Sequence, residues 1–151
     1  MPLALAAGGP DAAPPQLLSV ASLYKLESMY REKGLDATAV ADGRALQPPW
    51  RKLTQTWLGE SAHAIALAVQ SAACLVDVDG VIVDGSFDRS LLEALLGEVE
   101  AALNAYSWEG VARPALLAGT IGSDARAIGG ALLPLYAHFA PDRDLFLKLA
   151  S

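Results

Sequence analysis

The chain contains few of the residues that build metal sites and disulfides. One cysteine and two histidines are present in 151 residues, so an internal disulfide and a multi-cysteine zinc site are both excluded. The single thiol, Cys74, lies in an alanine-rich stretch of helical character, and we expect it to be buried and inert. His63 and His138 each stand alone in a helical stretch, which favours structural or surface roles over metal binding or catalysis. We therefore predict no metal site, no cofactor and no catalytic residue.

Basic residues are also scarce. Lys and Arg number 11 against 17 Asp and Glu, which gives a formal net charge of -6. An acidic surface of this kind cannot neutralise a phosphate backbone by itself. No helix-turn-helix segment with basic recognition residues is visible either. We expect this chain to make no direct contact with nucleic acid.

Long hydrophobic runs are missing as well. The longest apolar stretch, about 62–76, contains His63, Gln70 and Ser71, and it is shorter than the roughly 20 residues that a membrane-spanning helix needs. The stretch 1–7 is apolar, but it lacks the basic residue that normally precedes the apolar part of a secretory signal. These patterns predict a cytoplasmic protein without a membrane segment.

What is present is enough apolar sequence for one domain. The chain is 53% hydrophobic, and 151 residues suffice for a single core but not for the usual two-domain enzyme. Gly and Pro residues within 1–16 predict a flexible lead-in, and 17–151 is predicted to be the folded part. Apolar spacing predicts one helix over 18–33, with Ser19 or Ser22 as cap, and a long, largely buried helix over 50–75. The stretch 35–49 between them has no sustained period and is predicted to be a surface connection.

Two strand-turn-helix units follow. The first strand, Val81–Val83, runs into the turn Asp84–Ser86, and the second, about 115–118, runs into the turn Gly119–Asp124. A helical pattern follows each turn, so the fold class is predicted to be α/β, with a small sheet whose core is parallel and flanked by helices. Open sheets of this class place ligands at the carboxyl edge, where turn amides and helix N-termini converge.

The helices after the two turns carry start signals. Ser90 and Glu93 have the spacing of a capping box ahead of a leucine-rich stretch. Ser123 or Asp124 is predicted to cap the last helix.

The last helix also contains residues that disfavour helix. Gly129 and Gly130 should each cost about 1 kcal/mol relative to alanine, so we expect a compensating contact such as a closely packed neighbour. Pro134 cannot donate a backbone hydrogen bond, and its ring opposes the carbonyl group of Gly130. We predict a bend or a break there.

The two units together resemble a known family. A strand, the sequence Asp-Gly-Ser and a helix, followed by a strand and the sequence GTIGSDARAIGGALLPL, resemble the C-terminal portion of the ROK family of repressors, open reading frames and sugar kinases. The stretch Leu17–Glu27 and the sequence Trp57–Glu60 also look like regulators of that family. The resemblance covers about 17–147. It implies part of an actin-like ATPase fold of the ribonuclease H-like type, namely an incomplete C-terminal lobe.

The resemblance also implies a site. Members of the family hold a sugar in the cleft between two lobes, and the kinases hold ATP at glycine turns of the C-terminal lobe. Carried over by position, the implied ligand- or nucleotide-binding residues are Gly85, Ser86, Gly119, Thr120, Gly122, Ser123 and Asp124. The kinases typically have consecutive glycines at the first turn, whereas here Asp84 precedes Gly85 and would bring a carboxylate toward a bound phosphate. The family's phosphate-binding lobe, catalytic base and zinc motif have no counterpart in this sequence.

The resemblance therefore predicts a non-catalytic part of a ROK-type transcriptional regulator of sugar metabolism, which supports an effector cleft and forms dimers. A sugar effector is the expected small-molecule partner. An incomplete sheet leaves an apolar edge or face open, which predicts a homodimer or a higher oligomer. Two alternatives stay open: the C-terminal lobe of a ROK sugar kinase that lacks its catalytic lobe, and an assembly module without a ligand.

Overall fold

The structure is a computed structural model, and it describes residues 16–139 except for the side chains of residue 126 and residues 137–139. The predicted lead-in and the last twelve residues of the predicted domain lie outside this range, apart from Gln16. Short 3₁₀ helices lie at Ala37–Ala41, Arg44–Leu46 and Gly122–Asp124. The longer elements in chain order are α1 (Leu17–Ala21), α2 (Leu23–Glu32), α3 (Arg51–Leu75), β1 (Gly80–Val83), α4 (Arg89–Leu103), β2 (Ala115–Ala118) and α5 (Ala125–Phe139).

The single helix predicted over 18–33 is in fact two helices. Ser22 has an extended backbone with φ -81° and ψ 148°, which ends α1 and starts α2. Its hydroxyl oxygen accepts a hydrogen bond from the backbone N–H of Lys25 at 3.3 Å. Ser22 is thus the cap that the sequence suggested, but it caps a second helix instead of continuing the first. The apolar spacing runs on across the break and therefore does not reveal it.

Helix α3 is the central element of the helical part, and its bounds agree with the prediction of 50–75. Trp57, Leu58, Ala62 and Val69 are buried along its middle, where α1, α2 and α4 pack against it. The small alanine side chains of α3 allow this close approach. Its last turn extends past the core, so Cys74 is exposed and the prediction of a buried thiol is wrong.

The connection between α2 and α3 is not confined to the surface, in contrast to the prediction. Its 3₁₀ turns place Ala39, Val40 and Ala45 in the core. Small residues without a regular spacing give no sequence signal of burial. In the structure, these three residues nevertheless fill the space beside α2 and α3.

A buried pair of hydroxyl groups joins this connection to the helices. The Thr54 hydroxyl donates to the carbonyl oxygen of Ala45 at 2.5 Å and lies 2.6 Å from the hydroxyl of Tyr30. A threonine hydroxyl has one proton, so Tyr30 is the donor to Thr54. Burial raises the pKa of Tyr30 above its ordinary value, although the hydrogen bond with Thr54 acts in the opposite direction.

Strands β1 and β2 form a parallel pair with helix α4 as the crossover. The register pairs Gly80 with Ala115 and Val83 with Ala118. This confirms the coarse prediction of a mixed α/β fold with a small parallel sheet, although the described residues are mostly helical and contain two strands.

The two faces of this sheet differ. Val81, Val83 and Leu116 pack on the helical core. Ile82 and Leu117 point to the other face and are 70% and 50% exposed. Parallel sheets usually have both faces covered. The open apolar face predicted from the sequence is therefore present in the described chain.

The start of α4 corrects the predicted capping box. Asp88, not Ser90, is the N-cap, and its carboxylate accepts hydrogen bonds from the backbone N–H and the hydroxyl of Ser90. Because the helix already begins at Arg89, Ser90 lies inside its first turn and cannot pair with Glu93 in a capping box.

Of the predicted bend or break at Pro134, the break is absent, because helix α5 runs through this residue, and the bend stays a prediction. The carbonyl group that the proline ring opposes belongs to Gly130, which has no side chain, and nothing outside its own helix backbone lies within 4 Å of a methyl group built there. This open environment allows the backbone of α5 to adjust locally around Pro134. The 3₁₀ turn Gly122–Asp124 leads directly into α5, and the described side chains of the helix are exposed.

Among residues 16–139, no helix combines the length and the apolar character needed to cross a membrane.

The hydrogen bonds of Thr54 with Tyr30 and Ala45 provide a test of the helical core. Thr54→Val should lower the free energy of unfolding by about 1–3 kcal/mol, because the Tyr30 hydroxyl loses its acceptor and the Ala45 carbonyl loses its donor. Thr56→Val is the matched control, since Thr56 is exposed and bonds only the carbonyl of Lys52. Urea unfolding of the three proteins measures the difference. Equal effects of the two substitutions would show that the buried network adds no stability.

Candidate functional site

The two turns with the predicted ligand-binding residues meet at the carboxyl ends of β1 and β2. Since the strands are parallel and Val83 pairs with Ala118, the chain leaves both strands at the same edge of the sheet. The backbone N–H of Gly119 extends the ladder by donating to the carbonyl oxygen of Val83 at 2.8 Å. The segment after the first turn is held to the helical part, because the backbone N–H of Asp88, the N-cap of α4, donates to the carbonyl oxygen of Val40 at 2.9 Å.

The carboxylate of Asp84 lies at the centre of this edge. Its Oδ1 accepts hydrogen bonds from the backbone N–H of Gly85 at 2.8 Å and from Arg89 Nη1 at 3.1 Å. Its Oδ2 accepts from the backbone N–H groups of Ile121 and Gly122 at 3.0 Å and 2.9 Å. Both oxygens are thus bonded twice, and the donors come from both turns.

Arg89 is the second charged residue of the cluster. It is the first residue of α4, and its Nη1 also donates to the carbonyl oxygen of Gly119 at 2.8 Å. The guanidinium group therefore links the start of α4 to the end of β2, and it balances the charge of Asp84. We call Asp84, Arg89 and the backbone groups that they bind the Asp84 cluster.

Electrostatics favour the ionised form of Asp84. The pKa of its carboxyl group is lowered to about 2, first by the hydrogen bond from the Gly122 N–H and further by the amides of Gly85 and Ile121 and by Arg89. Partial burial acts in the opposite direction. The amides of Ile121 and Gly122 also lie at the start of the 3₁₀ turn that leads into α5, where negative charge is stabilised. Asp84 is therefore an anion at any physiological pH.

Two glycines are needed for this arrangement. A methyl group at Gly119 would overlap the Asp84 side chain, and one at Gly122 would overlap the Arg89 guanidinium group. Gly122 also has a positive φ of 58°, a conformation that favours glycine. Packing of Asp84 and Arg89 thus accounts for glycine at both positions without a bound ligand.

The structure brings together some of the predicted site residues and not others. Gly85, Gly119 and Gly122 belong to the Asp84 cluster through their backbone groups. Four others, Ser86, Thr120, Ser123 and Asp124, are exposed, and within the described residues their side chains form no hydrogen bond with the cluster. Sequence reasoning missed Arg89. Its spacing of five residues from Asp84, at the start of a helix, is the signal that could have identified it.

The chemistry of the edge is that of a closed anion-binding turn. Amide groups at a helix start and a guanidinium group would suit a phosphate or a carboxylate. Here the Asp84 carboxylate is their acceptor. Across residues 16–139, no group of three or more His, Cys, Asp or Glu side chains is arranged to hold a metal ion.

A separate groove of about 590 Å³ lies along α1 and α2. It is lined by Gln16, Leu18, Ser19, Ser22, Tyr24, Lys25 and Ser28. None of these is a predicted site residue, and Lys25 is the one charged side chain among them. Among these described lining residues, no pair is suited to acid–base or nucleophilic catalysis.

Comparison with known proteins adds no family assignment. No family model matches this chain, and no curated protein matches it. The relation to the ROK family therefore remains a prediction based on the sequence motifs described above.

The pKa of Asp84 predicts how its contribution to stability depends on pH. The folded-state pKa lies below the unfolded value of about 3.9, so the stabilisation is present above the unfolded value and is lost as the pH falls towards 2. Asp84→Asn should therefore be less stable than the natural chain at pH 7, and the gap should narrow between pH 5 and pH 2. Urea unfolding over this pH range measures the gap.

Asp79→Asn is the control for this experiment. Asp79 is exposed, and its side chain makes no hydrogen bond in the described structure. Its substitution should change the stability little. A gap between Asp84→Asn and the natural chain that stays constant down to pH 2 would contradict the assigned role of the charge.

The close contact at Gly119 provides a second test. Gly119→Ala should destabilise the fold by about 1–3 kcal/mol, because the added methyl group displaces the Asp84 side chain from its donors. Gly97→Ala in α4 is the control, since nothing lies within 4 Å of the added group and the change should stabilise the helix by up to about 1 kcal/mol. Thermal unfolding compares them. The same midpoint for Gly119→Ala and the natural chain would argue against this packing.

Proposed function

We propose that this chain forms the C-terminal effector-cleft and self-association portion of a ROK-type transcriptional regulator of sugar metabolism, and that it is not catalytic by itself. The resemblance over about 17–147 supports the family. The parallel β1–α4–β2 unit with a glycine turn after each strand is compatible with part of an actin-like lobe. A cytoplasmic location belongs to the same proposal.

The position of the Asp84 carboxylate carries the choice of a regulator over a kinase. In the sugar kinases that the chain resembles, consecutive glycines at the first turn leave the turn amides free for ATP. In this chain the carboxylate accepts the hydrogen bonds of the Ile121 and Gly122 amides. A phosphate group at that place would have to displace the carboxylate and would be repelled by it. This supports a role without nucleotide binding.

The Asp84 cluster then has a structural task. It fixes the turns after β1 and β2 to each other and to the start of α4. A fixed edge of this kind suits one wall of a cleft that binds a sugar effector. The acidic net charge of -6 assigns DNA contacts to another part of such a regulator. The exposed sheet residues Ile82 and Leu117 support self-association.

Thermal unfolding with ligands tests the proposal. A ligand that binds the folded state raises the midpoint by mass action. We expect no shift with ATP and Mg²⁺ beyond that of Mg²⁺ alone at matched ionic strength. In a panel of hexoses, a saturable shift with one sugar would support the effector cleft.

A saturable shift with ATP and Mg²⁺ would overturn the proposal and favour the lobe of a sugar kinase. If neither nucleotide nor sugar raised the midpoint and the midpoint rose with protein concentration, the assembly module would be favoured instead. Isothermal titration calorimetry with ATP and Mg²⁺ provides an independent measurement of the same binding.

A further inference from the structure

The groove along α1 and α2 is an apolar surface that nothing in the described chain covers. Leu18 and Tyr24 line it, and each of these side chains is 74% exposed. Lys25 is the one charged residue of the lining, and within residues 16–139 it takes part in no ion pair. A surface with these properties suits an apolar segment that carries one carboxylate.

The sequence that precedes Gln16 has this composition. Residues 1–10 contain no charged side chain and include Met1, Leu3 and Leu5. Asp11 is the one charged side chain in the whole segment 1–15. The segment and the groove therefore match in apolar character, and their single charges have opposite signs.

Chain connectivity selects this segment over a free partner. Gln16 itself lines the groove, so the segment 1–15 is joined directly to it. A short tether of this kind gives a local concentration on the order of millimolar, which a separate molecule does not have. A second copy that met the first through this groove would bring another Lys25 and no carboxylate, because the lining contains no acidic residue.

The length of the segment also fits the groove. The chain from Gln16 to Lys25 is mostly helical, so at about 1.5 Å per residue the Cα atoms of these two residues lie within about 20 Å of each other. An extended chain from Asp11 to Gln16 spans up to about 17 Å, and the two side chains can bridge the remainder. The sequence Gly8–Pro10 favours a turn, which lets residues 1–7 reverse and lie along the groove.

We propose that the segment 1–15 docks in the groove of its own chain, with its leucines against Leu18 and Tyr24 and with Asp11 paired with Lys25. The segment then acts as a strap that removes an apolar surface from water and from other molecules. The inference does not rest on the proposed function, because the groove and the site at the sheet edge share no residue.

Paramagnetic broadening in the full chain tests the docking. A nitroxide is attached at Ala7→Cys in a chain that also carries Cys74→Ser, which removes the natural exposed thiol. We expect the amide signals of Leu18 and Tyr24 to lose intensity relative to the reduced nitroxide. The signal of Leu117 in β2, outside the groove, should keep its intensity.

An exchange of charges provides an independent set of variants. Asp11→Lys and Lys25→Asp should each lower the docking constant by about twofold to fivefold, as for an exposed ion pair, and the broadening should fall with it. The double variant should recover the broadening, because the pair is restored with reversed sign. Lys33→Asp is the matched control, since Lys33 is also an exposed lysine but does not line the groove. Far-UV circular dichroism checks the fold of each variant.

Equal signal intensities at Leu18, Tyr24 and Leu117 would overturn the inference. The same broadening in the Lys25→Asp and Lys33→Asp variants would also contradict it, because the pairing with Asp11 would then contribute nothing. A mixture of a spin-labelled chain with an isotope-labelled chain distinguishes the remaining case. Broadening that arises only between different copies would show that the groove accepts a segment of a second copy and not its own.

Discussion

The structure around the sheet depends on one interaction at its carboxyl edge, the binding of the Asp84 carboxylate by two turns at once. Turn amides after β2 would otherwise lack an acceptor, and Arg89 would lack its anion. Because the carboxylate lies between the turns, glycine is required where the backbone passes it, at Gly119 and Gly122. The packing of this side chain and of Arg89 therefore accounts for both the glycines and the local backbone conformation.

The rest of the chain provides the support for this edge. Helix α3 is packed by α1, α2 and α4, and the inner face of the sheet rests on the same core through Val81 and Leu116. The outer face has no such cover, and α5 leaves the edge with its side chains exposed. The described chain thus combines a helical half with a buried core and a sheet half whose outer face is exposed.

Local sequence patterns predicted the positions of helices and strands better than they predicted which residues are buried. Periodicity and turn residues gave α3 almost to the residue and placed both strands, because 3.6- and 2-residue spacings are local properties. Burial of Ala39 and exposure of Cys74 were missed, since spacing indicates an apolar face but not what covers it. Asp84 was expected to obstruct a phosphate. Two of its four donors, the amides of Ile121 and Gly122, lie 37 and 38 residues away, a distance over which turn propensities carry no information.

The phenol buried between α2 and α3 has a consequence at the other end of the pH scale. An unfolded chain ionises its tyrosines near pH 10, whereas the dry surroundings of Tyr30 hold its proton to higher pH. Alkali therefore draws the equilibrium towards the unfolded chain, where the phenolate is solvated. Ionisation of this phenol is therefore a cost that the folded helical half meets in alkali and that the unfolded chain does not.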